Sequence, residues 1–372
     1  VDVVELVEKL LARAQSARAS DIHFEPTPDE MLVRLRLDGV LRTVATLPAA
    51  QGQTAVTRLK VMGGLLTYRN DIPQEGRLES PGAGVLQRRL AVFPTIHGQR
   101  AIVRQFLDDP QLDDLDGLGL REEIVAELRR LSRGQGVLLV TGPAGSGKST
   151  TLGALLRHVV DSGPGRSVVA LEDPVERRLA GVTQVQIDAH GAMDFPMALR
   201  SLLRQDPEVL MVGEIRDAQT ARIVIEAGLT GHLLMSTLHS GSPETALLRL
   251  LEMGIEPYQV TSSVTAVLNQ RLVRRLCHDC RRPVGGGRYE PVGCDGCLGT
   301  GFRGRAALAE MLRVDEPTRR ALLSGADASQ LRALLRAQGQ VELVAEARRM
   351  VDRGITSAAE VAVLTTDERR AL

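Results

Sequence analysis

Gly142-Pro143-Ala144-Gly145-Ser146-Gly147-Lys148-Ser149 is the stretch whose reading decides the fold of this chain. Its spacing is G-x-x-x-x-G-K-[ST], a phosphate-binding loop. Gly136-Val137-Leu138-Leu139-Val140-Thr141 precedes it, an apolar run with the character of a buried parallel strand. Thr150 to Val160 follows, with Leu152, Leu155, Leu156 and Val159 at helical spacing. Strand, glycine loop and helix are the context the motif requires. Glycines let the backbone wrap close to phosphate and turn N–H groups inward. The helix then points the positive end of its dipole at the same anion. Gly142 through Thr150 are therefore the expected nucleotide contacts. Within them Lys148 is expected on the β- and γ-phosphates of ATP and Ser149 on Mg²⁺.

With 372 residues the chain has room for two or three domains. Its formal net charge is zero, so no global field draws it to nucleic acid or anionic lipid. Aromatic residues make up 2% with no Trp, which argues against base stacking and leaves cores of Leu, Val, Ile and Ala. No 18-residue apolar run is present, so no membrane-inserted helix is expected. Glu5, Glu8, Lys9 and Arg13 break the apolar pattern of the opening residues, which excludes a signal peptide there.

Val3, Leu6, Val7, Leu10, Leu11 and Ala14 predict an amphipathic helix over residues 2–17. Val33, Leu35 and Leu37 alternate with Arg34 and Arg36 before Asp38-Gly39, the pattern of a half-buried strand entering a hairpin. A helix over 54–66, alternation at Leu86, Arg88, Leu90 and Val92, and a strand near 101–106 complete a small α+β domain, residues 1–107. Acidic residues 108–118 read as a linker. Apolar strand candidates at 136–141, 167–171, 207–212 and 232–237 then alternate with helical segments across 119–274. That is the pattern of a parallel sheet covered on both faces. Residues 275–305 are Cys-, Gly- and Arg-rich and irregular, and residues 306–372 are expected to be helical.

Three polar clusters follow apolar strands downstream of the loop. They are Glu172–Glu176, Asp206–Asp217 and Thr230–His239. In a parallel sheet the carboxyl ends share one edge, where ligands bind. Glu214 stands where an acid that orients water or holds Mg²⁺ belongs, and Glu172 is a second acid candidate. His239 ends a strand and can contact the γ-phosphate, whereas His232 precedes that strand. Cys277-x-x-Cys280 and Cys294-x-x-Cys297 are separated by 13 residues and suit a closed, structural Zn²⁺ site in a reducing compartment.

Taken together, these motifs resemble the secretion ATPase superfamily, the motors of type II secretion and type IV pili. The likeness covers nearly the whole chain. Ala19–Pro26 resembles A-S-D-I-H-F-E-P, Arg34–Gly39 resembles R-x-R-x-D-G, and Pro73–Arg77 resembles P-Q-D-G-R. Glu172–Glu176 is similar to the family's aspartate box, Arg204–Asp217 to its Walker B segment and Gly228–His239 to its histidine box. The run Gln270-Arg271-Leu272-Val273-Arg274-Arg275-Leu276-Cys277 also fits. The tetracysteine segment is similar to that of the assembly motors, and pilus-retraction ATPases lack it. Ile96-His97-Gly98 leans toward the secretion branch.

The resemblance implies a RecA-like P-loop domain behind a PAS-like α+β domain, with a zinc-binding insertion. It also implies a hexameric ring in the cytoplasm, peripheral to the inner membrane through platform proteins. Arginines of the first domain then approach the phosphates; Arg77, Arg89 and Arg104 are the candidates, with Arg200 and Arg204 able to act similarly. Members usually carry a further N-terminal domain, and this chain is expected to begin at the second, as a truncated piece or a short homologue. Gln99 stands where the family has Glu, Asn70 where it is usually basic, and the loop between the cysteine pairs is short. The expected function is a Mg²⁺-ATPase driving pseudopilus assembly. The alternatives are a pilus-extension motor, a nucleotide-binding scaffold with little turnover, and a DNA-pumping ATPase. Neutral charge and scarce aromatics disfavour the last.

Overall fold

The computed structural model describes residues 2–79, 85–163, 165–187, 191, 193–362 and 364. The chain divides into two compact units, Val1–Asp109 and Pro110–Leu372.

In the first unit, α1 (Val3–Ser16) leads into β1 (Asp21–Pro26), β2 (Glu30–Leu37) and β3 (Val40–Pro48). Then come α2 (Ala49–Met62), β4 (Gln74–Leu78), β5 (Val85–Thr95) and β6 (Gly98–Leu107). The strands form one sheet in the order β3-β2-β1-β6-β5-β4, every pair antiparallel. Alternation fixes the faces. Ile22, Phe24, Val33, Leu35, Leu90, Val92, Ala101 and Val103 are buried with Val7, Leu10 and Leu11 of α1 and Val56 and Leu59 of α2. Asp38 and Gly39 both take positive φ, 48° and 91°, as a tight hairpin turn between β2 and β3 requires. The second helix starts five residues earlier than its pattern suggests, since Ala49 to Thr54 continue it. A Cβ on Gly52 would lie 2.2 Å from that of Met31, so glycine is what lets α2 approach the sheet.

Lys60 is fully buried in this unit. Its ammonium donates to Arg69 O at 2.8 Å, Asn70 Oδ1 at 3.1 Å and Gln99 Oε1 at 3.2 Å. All three acceptors are neutral, and burial lowers the lysine's pKa. The two departures from the family pattern, Asn70 and Gln99, therefore meet on one buried cation. The Gln99 Nε2 has no acceptor among the described residues.

In the second unit, single helical turns at Pro110–Asp113 and Asp116–Leu118 precede α3 (Glu122–Leu131), β7 (Gly136–Thr141) and α4 (Lys148–Ser162). There follow β8 (Val168–Glu172), β9 (Thr183–Gln186), α5 (Phe195–Leu202), β10 (Val209–Val212), α6 (Ala218–Leu229) and β11 (Leu233–Leu238). The chain continues through α7 (Pro243–Glu252), α8 (Pro257–Ser263), β12 (Val264–Leu276), β13 (Arg282–Gly285), β14 (Arg288–Glu290) and β15 (Phe302–Arg313). It closes with α9 (Glu316–Leu323), α10 (Ala328–Ala337) and α11 (Leu343–Asp352). Seven strands form a mixed sheet in the order β15-β12-β7-β11-β10-β8-β9, parallel except for β15. Both faces are covered, which is why these strands read as continuous apolar runs. Val137, Leu139, Leu210 and Val212 enter one core with residues of α5 to α8. Leu138, Val140, Val209 and Met211 enter the other with α3 and α4.

The α/β expectation holds. Two elements depart from the sequence reading. Residues 306–313 were expected in a helical region and instead lie in β15, while β12 runs on to Leu276. Ala306-Ala307-Leu308-Ala309 favours helix locally. Antiparallel pairing with β12, from Ala266↔Arg313 to Arg274↔Arg305, overrides that preference. The irregular cysteine segment is thereby narrowed to residues 277–301, inserted between two paired strands. The expected linker also differs. Leu115 and Leu118 are buried in the core of the second unit with Leu152 and Leu155, so most of 108–118 is part of that unit. Residues 365–372 of the expected helical region lie outside the described residues.

Gln99→Glu should stabilise the protein. Lys60 already bears its desolvation cost, so a carboxylate at 3.2 Å adds attraction and removes an orphaned amide donor. The expected gain is ~1 kcal/mol, read as a melting temperature a few degrees higher. A lower melting temperature would refute this account of the pair.

Candidate active site

The glycine loop sits at the carboxyl end of β7, whose six residues are all buried. Gly142, Gly145 and Gly147 have φ of 138°, 75° and 88°, values that disfavour side chains. A Cβ on Gly142 would stand 2.3 Å from the main-chain oxygen of Gln270 on β12. The loop therefore lies directly against the neighbouring strand. Pro143, Ala144 and Gly145 are exposed, Ser146 is buried, and α4 starts at Lys148 with Ser149 and Thr150 exposed in its first turn. That first turn leaves N–H groups without intrahelical partners, a ready anion site. Lys148 Nζ donates to Gly142 O at 3.0 Å and Pro143 O at 2.9 Å, curling over the loop. Burial lowers the pKa of this lysine, Glu214 acts to raise it, and Arg271 lowers it further.

Glu214 follows β10 and is held by hydrogen bonds from both sides. Gly213 N donates to Leu171 O at 2.8 Å, Ile215 N donates to Thr237 O at 2.9 Å, and Thr237 Oγ1 donates to Gly213 O at 2.7 Å. The carboxylate is 21% exposed, open enough to meet a ligand. His239 Nε2 lies 3.4 Å from its Oε2, and the Arg216 guanidinium donates to its Oε1. Arg216 also reaches Asp173 at 3.5 Å. Glu214, His239, Arg216 and Asp173 thus share one patch on the carboxyl edge, where the glycine loop and Lys148 also lie. A cavity of about 540 Å³ opens beside His239 and is lined by Ser242, Arg249, Arg271 and Arg332.

Glu172 ends β8 and has a raised pKa, mainly from burial. It accepts from Gln184 Nε2 at 2.8 Å. Burial disfavours the charged form of this carboxyl, and the Gln184 hydrogen bond partly offsets that. His232 stands at the opposite edge of the sheet, its Nδ1 3.1 Å from Ala227 O and 3.1 Å from Thr230 Oγ1, and serves as a turn brace. Arg200 and Arg204 are exposed at the end of α5. Arg200 donates to the side-chain oxygen of Gln219 at 2.8 Å, with that amide oriented by its partners, and Arg204 to Ser201 Oγ at 3.3 Å.

In the first unit the other three arginine candidates fall in one row. Register places Arg77 opposite Arg89, Arg89 opposite Arg104, Arg104 opposite Asp21, and Asp21 opposite Arg36. Arg104 Nε donates to Asp21 Oδ1 at 2.8 Å, and Arg89 stacks on Phe106 at 5.1 Å from the ring centre. One row later, His23 and Glu25 of β1 meet Arg100 and Arg34 on the flanking strands. Acids alternate along the central strand of the outer face and orient arginines to either side.

The four cysteines are free thiols whose sulfurs all lie within 4.8 Å of one another. Cys277–Cys294, Cys280–Cys297 and Cys294–Cys297 are 3.9, 3.8 and 3.7 Å apart. Four sulfurs at ~2.3 Å from a tetrahedral Zn²⁺ stand about 3.8 Å from one another, so the donor set fits that ion. Gly293, Cys294 and Gly301 N–H groups point at Cys280 and Cys297 sulfurs at 3.2–3.3 Å, the outer bonds that thiolate ligands need. The lobe is fastened to the end of α11: Arg281 donates to Gly354 O at 2.8 Å and Arg288 to Asp352 at 2.9 Å.

Residues 2–363 match the sequence profile of the type II/IV secretion system protein family. The chain belongs to this family. It is 40% identical over 98% of its length to the type II secretion system protein HxcR of Pseudomonas aeruginosa, spanning 78% of that protein. It is 36% identical, again over 98% of its length, to the type IV pilus assembly ATPase PilB of Thermus thermophilus, of which it spans only 43%. The ATPase DotB of Legionella pneumophila shares the fold, with a TM-score of 0.74 at 23% identity over 97% of this chain and 95% of that one.

Sequence reasoning singled out Lys148, Glu214 and His239, which the fold brings together. It missed Arg216 and Asp173 as members of the same patch. Asp173 sits next to Glu172, and Arg216 is two residues past Glu214, so adjacency to a named acid was the available signal. No helix among the described residues is long and apolar enough to cross a membrane.

The protein should carry about one zinc per chain with all four cysteines as ligands. Cys294→Ser should lower zinc content and expose residues 277–301, and with them the end of α11, to protease. Nucleotide binding should persist. Metal-free protein that is equally protease-resistant would remove the zinc assignment.

Proposed function

We propose that this chain is a Mg²⁺-dependent ATP hydrolase that works as a hexameric ring and powers pseudopilus assembly in type II secretion. The observation that carries the reading is a glycine loop at the carboxyl end of β7, with Lys148 curled over it and Glu214 and His239 3.4 Å apart at the same sheet edge. Gly142 to Thr150 hold the phosphates through main-chain N–H groups, and Lys148 neutralises charge on the β- and γ-phosphates. Ser149 would hold Mg²⁺, which would supply charge neutralisation to the phosphates. Glu214 orients the attacking water, while His239 stands beside the γ-phosphate and Glu172 is a second acid near it. In this reading the strand order β12-β7-β11-β10-β8 is RecA-like, and the first unit is a PAS-like domain.

Arg77, Arg89 and Arg104 come from aligned positions on three adjacent strands, which suits them to meet a polyanion as a group. In a ring they act on a phosphate chain bound by their own or a neighbouring subunit. Arg200 and Arg204 contribute from the ATPase unit. Platform proteins at the cytoplasmic side of the inner membrane recruit the ring, with no nucleic acid involved. A second reading, a pilus-assembly motor, is favoured by the similarity to the Thermus relative.

Glu214→Gln should keep ATP bound and lower kcat on the order of 10²-fold or more, since shape is retained and charge is lost. Hydrolysis at the parent rate would show that another group orients the water. Specific activity should also fall on dilution if arginines act between subunits. A flat profile across a dilution series, with monomers in sedimentation, would remove that part of the reading.

A further inference from the structure

Gln270 is the residue against which the glycine loop is built. It lies on β12, is 3% exposed, and uses both ends of its amide. Its Nε2 donates to Ser146 O at 2.9 Å, and its Oε1 accepts from the Thr151 hydroxyl at 2.7 Å. Its main-chain oxygen would lie 2.3 Å from a Cβ at Gly142, and its Nε2 would lie 2.8 Å from a Cβ at Gly147. One residue thus touches the first glycine of the loop, the last glycine, and the first turn of α4.

We propose that Gln270 is a positioning residue for phosphate binding, acting through the orientation of the Ser146–Gly147 peptide. A peptide unit is planar and trans, so its C=O and N–H point in opposite directions. Holding Ser146 O toward β12 fixes the Gly147 N–H away from it, on the side where phosphate must bind. The Thr151 bond fixes where α4 begins, and the free N–H groups of its first turn lie between the two anchors. A loop without this clamp keeps its glycines but spreads its donors over several orientations, and binding must then restore order. The effect falls on α- and β-phosphate contacts, so ADP and ATP suffer alike. Asn269, next on the same strand, extends the anchoring: its Nδ2 donates to Gly241 O at 3.0 Å, two residues past His239, and to Glu310 at 2.8 Å.

The inference rests on the nucleotide-binding reading above. The test measures Kd for ADP and for non-hydrolysable ATP, together with kcat at saturating ATP, on the full chain. Gln270→Met keeps an unbranched side chain of similar length without either hydrogen bond. It should raise both Kd values by the same factor, on the order of tenfold, with kcat within about threefold. Thr151→Val should show a smaller loss, and the double variant should bind no worse than Gln270→Met alone, because both changes break one clamp. If Gln270→Met does not fold, Gln270→Glu keeps the Thr151 contact and sets two acceptors against each other at Ser146; its ADP affinity should fall at least as far. A folded Gln270 variant with the parent Kd for ADP overturns the proposal, as does a loss confined to ATP or strict additivity with Thr151→Val. A parent protein that binds no ADP fails at the earlier step and takes the whole nucleotide reading with it.

Discussion

The main chain of the glycine loop lies against strand β12 with no room for a side chain between them. That contact fixes much else in the second unit. It requires β12 to run beside β7, parallel with one irregularity between Val264 and Ala266, and so requires the chain to travel around the sheet before β12 is laid down. Everything that makes the site must be placed along that route. β8, β10 and β11 each end at the same edge and deliver Glu172, Glu214 and His239 there. The parallel arrangement also explains why these groups converge although more than sixty residues separate the first acid from the histidine.

Zero net charge conceals strong local order. In the first unit the outer sheet face carries Asp21, His23 and Glu25 on β1, flanked by Arg34 and Arg36 on one side and Arg100 and Arg104 on the other. Each carboxylate is shared by two guanidiniums, which limits their rotamers at modest energetic gain per pair. The value of such pairs lies in direction. A guanidinium held by an acid beneath it presents its remaining donors outward. In the second unit Arg216 takes the reverse part, holding Glu214 and Asp173 in one place.

The loop and its flanks were readable because glycine spacing, an apolar strand and helical periodicity are all local signals. The acid and histidine were readable because each ends an apolar run. Alternation gave β2, β5 and β6 within a few residues. β12 and β15 were hidden. Leu276 to Phe302 is bridged by an irregular insertion, and the alanines of β15 carry a helical preference that only pairing overrides. Gln270 could be quoted as part of a recurring run, but its two bonds join residues over one hundred positions apart. The arginine row was named without being seen as a row, since register across three strands depends on hairpin lengths that composition does not encode. Lys60 gave no signal at all, because a lysine in a helix pattern reads as surface.

The cysteine lobe enters and leaves the sheet at one place. Leu276 and Phe302 are paired across β12 and β15, so the chain that departs at one returns at the other. An excursion with adjoining ends can vary in length without moving the strands, because lengthening a loop costs little once its ends are held. The fold can therefore accept a short lobe, a long one, or a plain turn at this point. The four cysteine sulfurs gather at a centre of the lobe's own, fit for a metal ion. The sheet therefore leaves the length of this segment open, while Arg281 and Arg288 tie its far side to the end of α11.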